Sequence, residues 1–188
     1  IGGFHVAMSQ LGGECVWACD IDEKCRNVYE KNFNLKPEKD LTTFDIENIP
    51  DFDMLCAGFP CQPFSKAGAQ LGFEDDRGNV FFALCRIIKH HKPKYIVLEN
   101  VKNITSHDKG NTWKTIHHHV NELGYHIQDK PIVLNALDFN VPQYRERVFM
   151  LCKRKDLGEL PDLKFEKVVL TQTVKDVIVN DEGNAKFK

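Results

Sequence analysis

The chain of 188 residues contains no apolar run approaching the length of a membrane-spanning helix. Its amino terminus also lacks a basic segment leading into an apolar block and a small-residue cleavage site. These absences point to a soluble, cytoplasmic protein. Charge of one sign is not in excess either: 25 Lys and Arg face 27 Asp and Glu, a formal net charge of −2. Any contact with nucleic acid must therefore rest on a local basic patch. The seven cysteines include no paired Cys-x-x-Cys units, so the usual zinc spacing is missing, and an odd number argues against a disulfide framework. Reduced thiols packed as small apolar residues are the expectation, with no metal. Internal repeats and low-complexity segments are absent. So is a complete G-x-G-x-x-G, which speaks against a nicotinamide dehydrogenase.

What is present is a content of 42% apolar residues, enough in a chain of this length for one globular domain with a core. FHVAMSQLGG after Gly3 places Phe4, Ala7, Met8 and Leu11 at helical spacing and stops at Gly12-Gly13. ECVWAC reads as a short strand closed by Asp20, and Glu23 to Asn32 as a helix. FDMLCAG is a second short apolar run, VFFALCRIIKHH an amphipathic helix, and YIVLEN the clearest strand, with no polar alternation in its centre. A helix over Thr112 to Leu123, an extended stretch over Tyr125 to Leu134 and a strand in RVFMLCK complete the series. Alternation of this kind predicts an α/β fold, a mostly parallel sheet with helices on both faces. Residues 1–154 form this domain, and 155–188 read as a linker or the start of a further region. In such a sheet ligands bind where loops leave the carboxyl ends of strands.

Two strings fall at such ends, and a third at the entry to a strand. In GFPCQPFS, directly after FDMLCAG, two prolines flank a Cys-Gln pair and hold Cys61 in a stiff loop, a poor place for a core thiol. Glu99 closes YIVLEN and is either a helix cap or a site group. In VPQYRERVFM, Arg145 and Arg147 alternate around Glu146 at the entry to a strand and are expected on one face, as a surface ion pair or as the local positive charge that the composition lacks.

Together and in this order, these strings resemble the DNA cytosine-5 methyltransferase family. FDMLCAGFPCQPFSKAG looks like that family's nucleophile motif, LENVKN its Glu-Asn-Val motif and VPQYRERVF its Gln-x-Arg-x-Arg motif. IGGF is similar to the end of its first glycine-rich motif, and DDRGNVFF to the segment between the Cys loop and the Glu strand. The resemblance spans Ile1 to Met150. It implies a Rossmann-like S-adenosylmethionine-dependent methyltransferase fold and transfer of a methyl group to carbon 5 of cytosine in double-stranded DNA, with S-adenosylhomocysteine as product.

The residue types suit that chemistry. Carbon 5 of cytosine is a poor nucleophile until a thiolate bonds to carbon 6, the role the resemblance gives Cys61. Negative charge then developing on the ring is met at N3 by a carboxylic acid, here Glu99, and at O2 by a guanidinium, here Arg147, with Arg145 a neighbour. The base must leave the duplex first. The resemblance places Gln62, Ser65, Asn100 and Gln143 toward nucleic acid, with Gln62 to Gly72 as a loop closing over it. It places Ile1, Gly2, Gly3, Asp20, Ile21, Asp45, Ile46, Pro60 and Val80 around the methyl donor. Asp20 suits the ribose hydroxyls, whereas Asp45 reads equally as a helix cap and Gly2-Gly3 as a helix-starting turn. Ile21 stands where the family often has an aromatic. The resemblance also implies a strand before Ile1 and a target-recognition region after Lys188, so the 188 residues alone are expected to bind the donor poorly, and the full-length protein to be a monomer, nucleoid-associated in a bacterium. A tRNA methyltransferase on the same scaffold is the competing activity, against which Phe59 and Ser65 weigh. A silent regulatory homologue is the competing class, against which the intact set Cys61, Glu99 and Arg147 weighs.

Overall fold

The computed structural model describes residues 1–60 and 80–177. Cys61, Gln62 and Ser65, with the rest of the Gln62 to Gly72 stretch, lie outside them. Local signals in the sequence set most element ends. Helix α1 (Gly3–Gln10) starts from Gly2 in the left-handed conformation, φ 74°. Helix α2 (Glu23–Phe33) is capped by the Asp22 carboxylate, which accepts from the Lys24 and Cys25 amides, and ends at left-handed Asn34. After β1 (Met54–Gly58) comes α3 (Val80–His91), whose last turn carries Lys89, His90 and His91 at the negative end of the helix dipole. It stops where Lys92 turns left-handed ahead of Pro93. Then follow β2 (Tyr95–Val101), α4 (Asn111–Glu122), β3 (Tyr125–Ile127), β4 (Ile132–Asn135), β5 (Glu146–Arg154) and the short α5 (Val174–Val177).

One five-stranded sheet has the order β1-β2-β5-β3, with β4 also on β5. The pair β1–β2 is parallel, while β5 runs antiparallel to β2, β3 and β4. Four of the five strands therefore point one way, but because the reversed β5 has three of them beside it only the β1–β2 pairing is parallel, and the sheet is mixed. The extended stretch Tyr125 to Leu134 divides into β3 and β4 along one edge of β5. Between them the Gln128 side chain replaces the missing ladder: its Nε2 donates to the Phe149 carbonyl at 2.9 Å, and its Oε1 accepts from the Leu151 amide at 2.9 Å.

Period-two alternation divides the strands into two faces. Leu55, Ile96, Leu98, Val148, Met150 and Cys152 are buried on one of them, against Phe81, Leu84, Cys85 and Ile88 of α3 and Ile116 and Val120 of α4. Each large side chain there contributes roughly 1.5–3 kcal/mol relative to exposure, which makes this layer the core. Tyr125 anchors the far end, donating to the Pro93 carbonyl at 2.7 Å. The opposite face carries Cys56, Val97, Glu99, Arg147, Phe149 and Leu151, all only partly buried. Helices α1 and α2 pair through rings, His5 stacking on Phe33 at 4.1 Å. The chain thus has a Rossmann-like α/β arrangement, with α3 and α4 packed on one face of the sheet.

YIVLEN differs from its expected two covered faces, because its alternate residues are buried and partly buried in turn. The expected strand ECVWAC is also reduced, to a single parallel bridge of Cys19 with Glu38. Glu38 donates to the Ala18 carbonyl at 2.8 Å and Asp20 to the Glu38 carbonyl at 3.0 Å. A strand persists through its neighbours' ladders, and among the described residues Glu14 to Trp17 have no strand beside them. Residues 161–177 are exposed throughout.

Candidate functional site at the carboxyl ends of β1 and β2

The site is assembled where β1 and β2 end side by side, Gly58 opposite Glu99. Alternation turns Glu99 to the partly buried face. On the next strand Arg147, paired in register with Val101, points to the same face. Their side chains meet diagonally across β2 and β5: Arg147 Nε donates to Glu99 Oε1 at 2.9 Å, with the two side chains 23% and 25% exposed. A guanidinium on a carboxylate in this half-shielded position is a charge-assisted pair, shorter and stronger than a neutral one. Arg147 Nη1 donates in addition to the Glu146 carbonyl at 2.8 Å.

Gly58 leaves little room for a side chain. A Cβ built there would stand 3.1 Å from Glu99 Oε2, so the carboxylate lies directly against the backbone that leads to Cys61. The following carbonyl, of Phe59, accepts from Asn100 Nδ2 at 2.7 Å, and Asn100 Oδ1 accepts from the Val101 amide at 2.8 Å. Asn100 is 2% exposed. Alternation puts it on the core face with Ile96 and Leu98, where a buried amide must be satisfied internally. What it does is fix Phe59 and Pro60, the last described residues before Cys61. That same alternation was the signal in the sequence that could have located it.

Of the two arginines, only Arg147 reaches Glu99. Arg145 lies one residue before β5, exposed, and its main chain is held by Asn135 Oδ1 accepting from its amide at 3.1 Å. The strand that would have aligned the two begins only at Glu146. Gln143 is exposed in the same turn, its amide donating to the Val141 carbonyl at 2.7 Å. Lys102 pairs with Glu146 at 2.8 Å. Lys102 and Glu146 are thus paired with each other, while Arg145 is exposed.

Burial pushes Cys19 and Cys56 up to about 11 and Cys152 up to about 12, and it raises Cys25 and Cys85 as well. Thiols held protonated are poor nucleophiles at neutral pH.

On the donor side, Gly2 is left-handed and a Cβ there would meet the Phe33 ring at 2.3 Å, so only glycine fits. The α1 amino terminus has no side-chain cap, leaving its amides open to a ligand. His5 Nδ1 and the Tyr29 hydroxyl, 2.7 Å apart, tie α1 to α2. Asp20 Oδ1 accepts from the Asp22 amide at 2.9 Å, and Oδ2 has no partner among the described residues. Arg26 Nη1 donates to the Asp20 and Ile21 carbonyls, each at 2.8 Å, and so shapes that turn. Ile21 is 72% exposed, and Ile1 and Pro60 are exposed too. Asp45 is the cap that the local sequence allowed: its Oδ1 accepts from the Glu47 amide at 3.2 Å and its Oδ2 from Asn48 Nδ2 at 3.1 Å. Ile46 is tied to α3 through its carbonyl and His91 Nε2, 2.9 Å apart. Val80 opens α3, partly buried. The residues expected around the donor thus lie at the start of α1, in the turn before α2, in the turn bound to α3, just after β1 (Pro60) and at the start of α3 (Val80).

Comparison with known proteins bears on this arrangement. The family model described as C-5 cytosine-specific DNA methylase matches residues 1–188. The chain is 48% identical over 182 residues to the Type II methyltransferase M.HhaI of Haemophilus parahaemolyticus, covering 96% of this chain and 55% of that protein. It is 48% identical over 161 residues to the Type II methyltransferase M.HpaII of Haemophilus parainfluenzae, covering 84% and 45%. It therefore spans about half the length of these relatives. Among solved structures, a DNMT2 variant of Spodoptera frugiperda superposes with TM-score 0.67 at 27% identity, over 92% of this chain and 53% of that one. The chain belongs to the C-5 cytosine-specific DNA methylase family.

Proposed function

We propose that this chain carries the catalytic core of a DNA cytosine-5 methyltransferase, acting on a cytosine turned out of the duplex through a covalent bond from Cys61 to carbon 6. The observation that carries the reading is the Glu99–Arg147 pair at 2.9 Å, set against Gly58 at the entry to the Cys61 loop. S-adenosylmethionine supplies the methyl group. The uncapped α1 terminus, the glycine-only turn at Gly2 and the free Oδ2 of Asp20 suit its carboxylate and ribose.

The Cys61 sulfur adds to carbon 6, and the electron pair displaced from the carbon 5–carbon 6 bond makes carbon 5 nucleophilic. Glu99 hydrogen-bonds N3, where negative charge would otherwise build up, and Arg147 holds Glu99 while facing the same charge. After methylation the proton on carbon 5 leaves to a base, the carbon 5–carbon 6 double bond re-forms and the sulfur departs. Asn100 acts through the backbone, holding Phe59 so that the loop starts in a set direction. The 48% identity to Type II methyltransferases favours DNA over tRNA and a catalytic over a silent role.

The test is to incubate the complete protein with methyl donor and duplex DNA carrying 5-fluorocytosine, which lacks the proton that must leave. A denaturant-stable adduct is expected with the native protein and none with Cys61→Ser. An adduct in Cys61→Ser, or faster methyl transfer to tRNA than to duplex DNA, overturns the reading.

A further inference from the structure

Among the described residues, Asp20 is bonded at every polar atom but one. Its amide donates to the Glu38 carbonyl at 3.0 Å, and its Oδ1 accepts from the Asp22 amide at 2.9 Å. Its carbonyl accepts from Arg26 Nη1 at 2.8 Å, and the same nitrogen donates to the Ile21 carbonyl, also at 2.8 Å. Only Oδ2 is left open. Two of these restraints come from main-chain groups nearby, and the third is a side chain sent back from α2.

Arg26 is the fourth residue of that helix. A cation so near an amino terminus gains nothing from the helix dipole, which favours acids there. Its Nη1 is spent on two main-chain carbonyls and not on the Asp20 carboxylate, which keeps its open oxygen. That arrangement suits a carboxylate that must be in place before its ligand arrives. A carboxylate oxygen can accept from a hydroxyl, and a side chain ordered in advance loses little freedom on binding. We propose that Arg26 is a positioning residue for the methyl donor: by gripping the Asp20 and Ile21 carbonyls it fixes their turn, and so presents Oδ2 of Asp20 to the ribose. The inference rests on the donor reading given above for its ligand, and on the hydrogen bonds alone for its geometry. The alternative role for Arg26 is to fasten α2 to the chain before it, which predicts loosening along the helix and an effect on binding independent of Asp20.

The test has two readouts, both in the complete protein. The first needs no donor. Amide hydrogen exchange at Asp22, whose N–H rests on Asp20 Oδ1, is expected to quicken about three- to tenfold in Arg26→Met. The amides of the last turn of α2 should keep their native rates. The second readout is the Kd for S-adenosylhomocysteine, measured by titration calorimetry. It should rise about three- to tenfold in Arg26→Met and by more in Asp20→Ala. Adding Arg26→Met to Asp20→Ala should change Kd by less than about twofold, because an arginine that acts through Asp20 then has nothing left to present. Native affinity or native Asp22 exchange in Arg26→Met overturns the proposal. So does an undiminished loss of affinity in the Asp20→Ala background, or exchange quickened along the whole of α2, since either makes Arg26 a fastening of the helix. No binding by the native protein would instead defeat the donor reading, and with it the ligand proposed here, while exchange at Asp22 would still report the restraint.

Discussion

The two faces of β2 and β5 are made by the same residues in alternation, yet they do different work. On one face Ile96, Leu98, Val148, Met150 and Cys152 are each at most 2% exposed under α3 and α4. On the other, Val97, Glu99, Arg147, Phe149 and Leu151 stay partly open. One face holds the sheet together, and the other presents an acid and a base at its carboxyl edge. The difference shows how a period of two lets one strand stabilise the fold and carry a site without compromise. Only Asn100 crosses the division, since it lies on the core face and serves the site through Phe59.

That division can be broken from either side. The largest effect is expected from Glu99→Gln in the complete protein, about 10²- to 10⁴-fold in kcat with little change in unfolding midpoint, measured by tritium transfer and denaturant titration. An equal loss of stability would mean that the open face also supports the fold. One residue earlier, Leu98→Ala should do the reverse, costing about 2–5 kcal/mol of stability by leaving a cavity, measured by chemical denaturation. Asn100→Ala should combine both effects at smaller size: about 1–3 kcal/mol for stranding the Phe59 carbonyl, with a fall in kcat that Leu98→Ala lacks once temperature is lowered to keep each variant folded.

The smallest effect concerns pH on the covered face. Burial lowers the His119 pKa below its ordinary 6.5, with His118 adding to the shift, and its ring lies edge-on to Phe82 at 5.3 Å. Below pH 6.5 the unfolded chain takes up a proton that the folded chain resists. The contribution is therefore fully present above 6.5 and declines as pH falls from there toward the folded pKa. His119→Gln should flatten the stability profile in that window, and an unchanged slope between pH 7 and 5 would assign the dependence to other groups.

Much of this was legible in order of residues. The α3 helix has the bounds that its amphipathic pattern marks, from Val80 to His91, because its apolar stripe and the Lys92-Pro93 stop are local signals. YIVLEN, FDMLCAG and RVFMLCK are strands, as their composition requires. ECVWAC was not legible as it stands, because strand formation depends on a neighbouring chain and not on propensity alone. Nor was the Gln128 side chain standing in for a ladder bond, which no spacing announces.

For the site, the sequence by itself determined the residue types and their place near strand ends: a proline-bordered Cys61, an acid near the end of β2, arginines at the entry to β5. Those facts follow from local backbone restriction and from alternation, which act within a few residues. Only the tertiary structure decided that Arg147 and not Arg145 meets Glu99, that Asn100 holds the backbone ahead of Cys61, and that Lys102 occupies Glu146. Each of these joins groups 41 to 48 positions apart, and such partners are chosen by the register of β2 against β1 and β5, which no local pattern encodes.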